Sequence, residues 1–113
     1  MKIDIRFRGF EVSRSLREYM VRRAHSQFSR FGGGINSLTV RISDDNGPKG
    51  GVDKRCRVTV RGPALGTVTL EDSSADPCSA VDMVFDRAAH AAGREIERRR
   101  VSRRDDVPAT KAV

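Results

Sequence analysis

Tryptophan is absent from this sequence, and one Tyr and five Phe make an aromatic share of only 5%. A core built from so few rings is small and aliphatic, which argues against a large apolar ligand pocket and a small-molecule substrate. Cysteine is almost absent as well. Cys56 and Cys78 stand far apart, with no CxxC pair and no neighbouring histidine cluster, so reduced, packed thiols are expected and a metal site is not. At 113 residues the chain is long enough for one domain without disulfide support. No hydrophobic run approaches a membrane span, and the N-terminus lacks the apolar centre of a signal peptide, so a cytoplasmic, membrane-free protein is expected.

Catalytic equipment is also scarce. His25 and His90 are the only histidines, and both fall on polar helix faces. No nucleophile sits in an elbow motif, and Gly32-Gly33-Gly34 follows a helix rather than joining a strand to one, so it reads as a terminator and not a phosphate loop. The pair Asp44-Asp45 sits among turn residues and serves turn formation. Neither an enzyme nor a cofactor is expected.

What the chain has is arginine, unevenly placed. Residues 1–31 carry 8 Lys/Arg against 3 Asp/Glu, and residues 87–104 carry 7 Arg against 2 Glu. The intervening residues 32–86 carry 6 Lys/Arg against 8 Asp/Glu, so the net charge of +7 comes from two segments. Both read as helical. Guanidinium forks bind phosphate at two points and stack on bases, so the pattern points to a polyanion, most simply nucleic acid.

The elements follow from periodicity. Ile3, Ile5 and Phe7 alternate with Lys2, Asp4, Arg6 and Arg8, which predicts a half-buried strand ending at Gly9. Ser13 is placed to cap a helix running to about Phe31, with Leu16, Met20, Ala24, Gln27 and Phe31 on its inner side and Phe28 nearby. The glycine triplet stops it. Leu38, Val40 and Ile42 mark a second strand, and Asp44 to Gly51 a mobile hairpin loop. Cys56, Val58 and Val60 mark a third strand, Val68 and Leu70 a fourth. Asp76-Pro77 opens the last helix, whose apolar stripe is Val81, Val84, Phe85, Ala88, Ala89, Ala92 and Ile96. The stripe fails past Ile96, and the helix is expected to end near Arg104. A single α+β domain over 1–104 with a flexible tail over 105–113 is therefore predicted. Its order is β-α-β-β-β-α, a four-stranded, largely antiparallel sheet with both helices on one face. The expected core is Ile3, Ile5, Leu16, Met20, Phe31, Leu38, Val40, Ile42, Val58, Val60, Val84, Phe85, Ala88 and Ala92. Outward Arg and Thr on strands two and three leave the other sheet face solvated.

Two basic stripes emerge. Arg87, His90, Arg94 and Arg98 fall within about 80° of helix surface and spread over ~16 Å. A solvated helix face ordinarily mixes signs, whereas here Asp82, Asp86 and Glu97 lie to one side. The first helix presents Tyr19, Arg23, Ser26 and Arg30, flanked by Arg22. Tyr19 is placed either to stack on a base or to sit at the core edge. Side by side, the two stripes are expected to form one continuous surface.

Three stretches resemble a known family. Arg8-Gly9-Phe10-Glu11-Val12-Ser13 followed by Ser15-Leu16-Arg17-Glu18-Tyr19 is similar to the opening of the ribosome hibernation promoting factors, also called ribosome-associated inhibitor or sigma-factor modulation proteins. Asp76-Pro77-Cys78-Ser79-Ala80-Val81-Asp82 and Asp86-Arg87 resemble that family's entry into its last helix. The resemblance spans roughly residues 1–100. It implies binding to the small ribosomal subunit in the channel used by mRNA and tRNA, contact with 16S rRNA, and repression of translation in stationary phase or stress. The length implies the short form, without a C-terminal dimerisation domain. RNA contacts would then come from Arg8, Tyr19, Arg22, Arg23, Arg30, Arg87, His90, Arg94 and Arg98. Two alternatives remain: a general module for structured RNA, and a protein-interaction module for an acidic partner.

Overall fold

The computed structural model describes residues 1–9, 13–44 and 54–112, with side chains described through Val101. Strand β1 (Lys2–Arg8) leads to helix α1 (Arg14–Phe28), then a short 3-10 segment (Ser29–Gly34). Strands β2 (Ser37–Asp44), β3 (Lys54–Gly62) and β4 (Gly66–Ser74) follow, and helix α2 (Pro77–Ala112) closes the chain. The order is the β-α-β-β-β-α read from periodicity. The strands lie in the order β1-β2-β3-β4. β1 runs parallel to β2, and the two remaining pairings are antiparallel. A parallel pair needs a long crossover, and α1 supplies it.

Alternation sets the faces. The rows Ile3–Leu38–Val60–Val68 and Ile5–Val40–Val58–Leu70 point to the helices. α2 packs over β3 and β4, while α1 lies over β1 and beside α2. Phe85 and Phe28 are fully buried and meet edge to face, with ring centroids 6.0 Å apart. Most of the expected core is buried, but Ile3 and Phe31 are only partly so. Phe28 takes the place expected for Phe31, because α1 ends at Phe28 and the chain tightens into the 3-10 turn. The buried line on α1 is Leu16, Met20, Ala24 and Phe28, and Gln27 instead reaches Asp86 on α2. Cys56 is buried, and burial pushes its thiol up to about 12.

Local chemistry explains the boundaries. The Ser13 side chain accepts the Leu16 N–H at 3.0 Å, the expected cap of α1. Asp76 Oδ2 accepts the Ser79 N–H at 3.1 Å, with Pro77 at the first helical position. Gly32 breaks the helical path at φ 55, ψ −130. The chain then brings Gly34 against Gly62, where a Cβ would lie 1.9 Å from the Gly34 carbonyl oxygen. Backbone can pass that closely only beside glycine.

Two expectations need amendment or fall elsewhere. The α2 backbone stays helical through Ala112, past the end expected near Arg104. No glycine or proline lies between Ile96 and Val107, and an i,i+3/i,i+4 ladder of Glu95 with Arg98 and Arg99 supports the first of these turns, while the helical span also takes in Pro108, for which nothing described accounts. Of the loop expected over 44–51, Asp44 closes β2, paired with Lys54 at 3.0 Å, and residues 45–53 lie outside the described residues.

Candidate nucleic-acid interface

On α2, Arg87, His90 and Arg94 line one shallow depression beside Leu70 of β4. All three are exposed. They are not equally available. Arg87 donates to Asp72 Oδ2 at 2.8 Å and to the Glu71 carbonyl at 3.3 Å, bracing α2 against β4. Arg98, one turn beyond Arg94, is forked on Glu95, at 2.6 and 3.1 Å. Hydrogen bonds from Arg98 and Arg99 hold the Glu95 carboxyl down at about 2. Arg94 and His90 have no ion pair among the described residues.

On α1 the stripe turns toward α2. Tyr19 donates its hydroxyl to Asp82 Oδ1 at 2.5 Å, and that hydrogen bond, followed by burial, raises its pKa above 10.0. Arg23 Nε lies 3.2 Å from the same carboxylate oxygen, in ion-pair range but not aligned as a hydrogen bond, and its Nη2 lies 3.4 Å from Asp86. Asp82 and Asp86 therefore form an acidic seam between the helices. The two basic stripes do not merge into the single uninterrupted surface expected from the wheels. The wheel put these carboxylates to one side of the α2 stripe, and that side is the one facing α1. Arg22 and Arg30 remain exposed and without an ion pair among the described residues, Arg30 lying 4.8 Å over the Phe31 ring.

Arg8 lies apart from both helices, at the end of β1 on the open sheet face. There it has company that strand alternation alone did not single out. Arg6, Arg41 and Arg57 stand in one row across β1, β2 and β3, with Arg55 and Arg61 on the same face of β3. The signal that could have found this group is the strand register, which brings Arg6, Arg41 and Arg57 together from distant parts of the chain. Among the described residues no group of three or more His, Cys, Asp or Glu is gathered for a metal ion, and no helix is long and apolar enough to cross a membrane.

Comparison with known proteins gives a consistent answer. A ribosomal subunit interface protein from Coxiella burnetii superposes with a TM-score of 0.70 at 20% identity, covering 83% of this chain and 96% of its own. The N-terminal domain of Protein Y from Thermus thermophilus gives 0.68 at 24% identity, covering 83% and 98%. At those identities the likeness is one of fold. No curated protein sequence matches the chain. The sequence model of the sigma 54 modulation protein / S30EA ribosomal protein family matches residues 3–100, nearly the whole described fold, and the chain belongs to that family.

Proposed function

We propose that this protein is a ribosome-associated translation inhibitor, a cytoplasmic hibernation factor that occupies the mRNA and tRNA channel of the small subunit and contacts 16S rRNA. The observation that carries the reading is membership of the S30EA family over residues 3–100. A solved relative of the same fold bears the name ribosomal subunit interface protein. Inhibition by occupancy suits a protein whose prominent chemistry is arginine. Affinity comes from guanidinium–phosphate contacts, and specificity from the shape of a folded rRNA groove.

Arg22, Arg30, His90 and Arg94 are the helix-face groups most available to RNA. Arg87 contributes charge but also ties α2 to Asp72, so a reversal at Arg87 would place two carboxylates together and confuse binding with folding. The clean test is Arg22→Glu with Arg94→Glu. Wild-type protein should co-sediment with purified small subunits on a sucrose gradient in the presence of competitor RNA and should inhibit cell-free translation. The double variant should do neither while keeping its thermal midpoint, since exposed charges contribute only ~0–1 kcal/mol. Wild-type protein that competitor RNA strips from the subunits would indicate a general RNA binder. A complex that persists after nuclease treatment would indicate a protein partner.

A further inference from the structure

Among the described residues nothing covers the sheet face away from the helices, and its side chains are unusual. Its outward positions are Lys2, Asp4, Arg6 and Arg8 on β1, then 37, 39, 41 and 43 on β2, 55, 57, 59 and 61 on β3, and 67, 69, 71 and 73 on β4. Not one is apolar. Seven are Lys or Arg, two are Asp or Glu, and the rest are Ser or Thr.

Register makes this more than a solvated face. Arg6, Arg41 and Arg57 are direct cross-strand neighbours, with Glu71 ending the row. Adjacent strands are ~4.8 Å apart, so the three arginines start within ~10 Å of one another. Like charges directly opposite are destabilising, and a face selected for stability would alternate signs along the row. The available carboxylates do not relieve the repulsion at its centre. Asp4 turns along its own strand to Arg6 at 3.1 Å, and Glu71 pairs with Arg55 at 3.4 Å. Arg41 and Arg57 are exposed and have no ion pair among the described residues. Two adjoining depressions, of about 430 and 480 Å³, both have Arg6, Arg41 and Arg57 in their walls.

We propose that this row is a second RNA-binding surface, on the face opposite the helices, that takes the phosphate backbone of an RNA segment. An acidic protein partner fits less well. Protein interfaces bury an apolar or aromatic centre, and the outward positions of this face supply none, Phe7 and Ile42 reaching the wall of one depression only from the helix-facing side. RNA backbone is bound by arginine forks together with Ser and Thr hydroxyls, which is what the face offers. The inference stands independently of the helix-face reading, and together the two faces would let one small domain lie between two RNA walls.

The test uses the full chain and a fluorescein-labelled RNA hairpin, with affinity read by anisotropy over a salt series. Arg41→Gln with Arg57→Gln should flatten the slope of log affinity against log salt by ~1.4–1.8, from two contacts at ~0.7–0.9 each. Its thermal midpoint should hold or rise, because opposed like charges are removed. In the wild type, RNA should protect Arg41 and Arg57 from phenylglyoxal modification read by mass spectrometry, a measurement that needs no variant. A wild-type salt slope in the double variant, no protection by RNA, or polyglutamate competing as well as RNA would each overturn the proposal. Running Arg22→Glu with Arg94→Glu in parallel separates the two faces. Weakening in the helix variant alone overturns the sheet proposal, and weakening in the sheet variant alone supports it, while the helix reading is decided by co-sedimentation with small subunits. Weakening in both supports both.

Discussion

Gly93 lies in the middle of α2, where glycine is the poorest choice after proline. In a helix interior it is ~0.8–1.0 kcal/mol less favourable than alanine, because the unfolded chain has more conformations to lose. Whether alanine recovers that depends on space. A Cβ built at Gly93 meets the Phe31 ring at 3.7 and 3.8 Å, ordinary van der Waals distances with no backbone in the way. Gly93→Ala should therefore stabilise the fold by ~0.8 kcal/mol. For a domain of this size that is a rise of ~4 °C in the thermal midpoint, followed by far-ultraviolet circular dichroism. Gly62→Ala is the matched control. Its Cβ would stand 1.9 Å from the Gly34 carbonyl oxygen, a backbone atom that cannot step aside. It should cost at least ~1–3 kcal/mol. A midpoint that falls or stays fixed in Gly93→Ala would refute the argument, since it would mean that the α2–Phe31 contact has no room for a methyl group.

Phe85→Ala should destabilise by ~3–5 kcal/mol in urea denaturation, because the ring is fully buried against Phe28; a loss below ~1 kcal/mol would show that the core collapses around the cavity. Tyr19 is the only tyrosine, so phenolate absorbance reports it alone, and it should titrate above 10.0 in the folded protein. Between the unfolded and the raised folded pKa the native state keeps a proton that the unfolded chain releases. The stability from the Asp82 hydrogen bond is thus fully present below pH 10.0 and is lost as pH rises through the folded value. Asp82→Asn should bring the titration back toward 10.0, and a wild-type titration already at 10.0 would contradict the hydrogen bond.

Local chemistry was the legible part of this chain. The Ser13 cap, the Asp76-Pro77 start and the strand alternations all depend on residues within a few positions of one another, and each stands where expected, while the helix stop comes three residues early, at Phe28, with the glycines inside the 3-10 segment that follows. The parallel β1–β2 pairing was not legible, since alternation fixes faces and not neighbours. The α1 wheel held for Leu16, Met20 and Ala24 and failed only in the last turn, where the α-helix ends at Phe28 and tightens into the 3-10 segment. Gln27 faces Asp86 there, and Phe28 turns in under the helix. The candidate site suffered most. Arg23 with Asp82 and Asp86, and Arg87 with Asp72, are contacts between separate elements. A helix wheel records only one element, so it counts such arginines as free. The Arg6–Arg41–Arg57 row was hidden for the same reason.

The touch of Gly34 on Gly62 also decides which alternative structures this sequence can adopt. Sliding β3 along β2 by one residue turns Cys56, Val58 and Val60 to water, so burial alone forbids that error. Sliding by two does not, because every apolar side chain then still points inward. What changes is the residue brought to the Gly34 carbonyl, which becomes Val60 or Ala64. Either carries a Cβ where the native pairing leaves none closer than the bare backbone of Gly62. A contact between two residues without side chains thus disfavours both two-residue slips, which the hydrophobic pattern would tolerate.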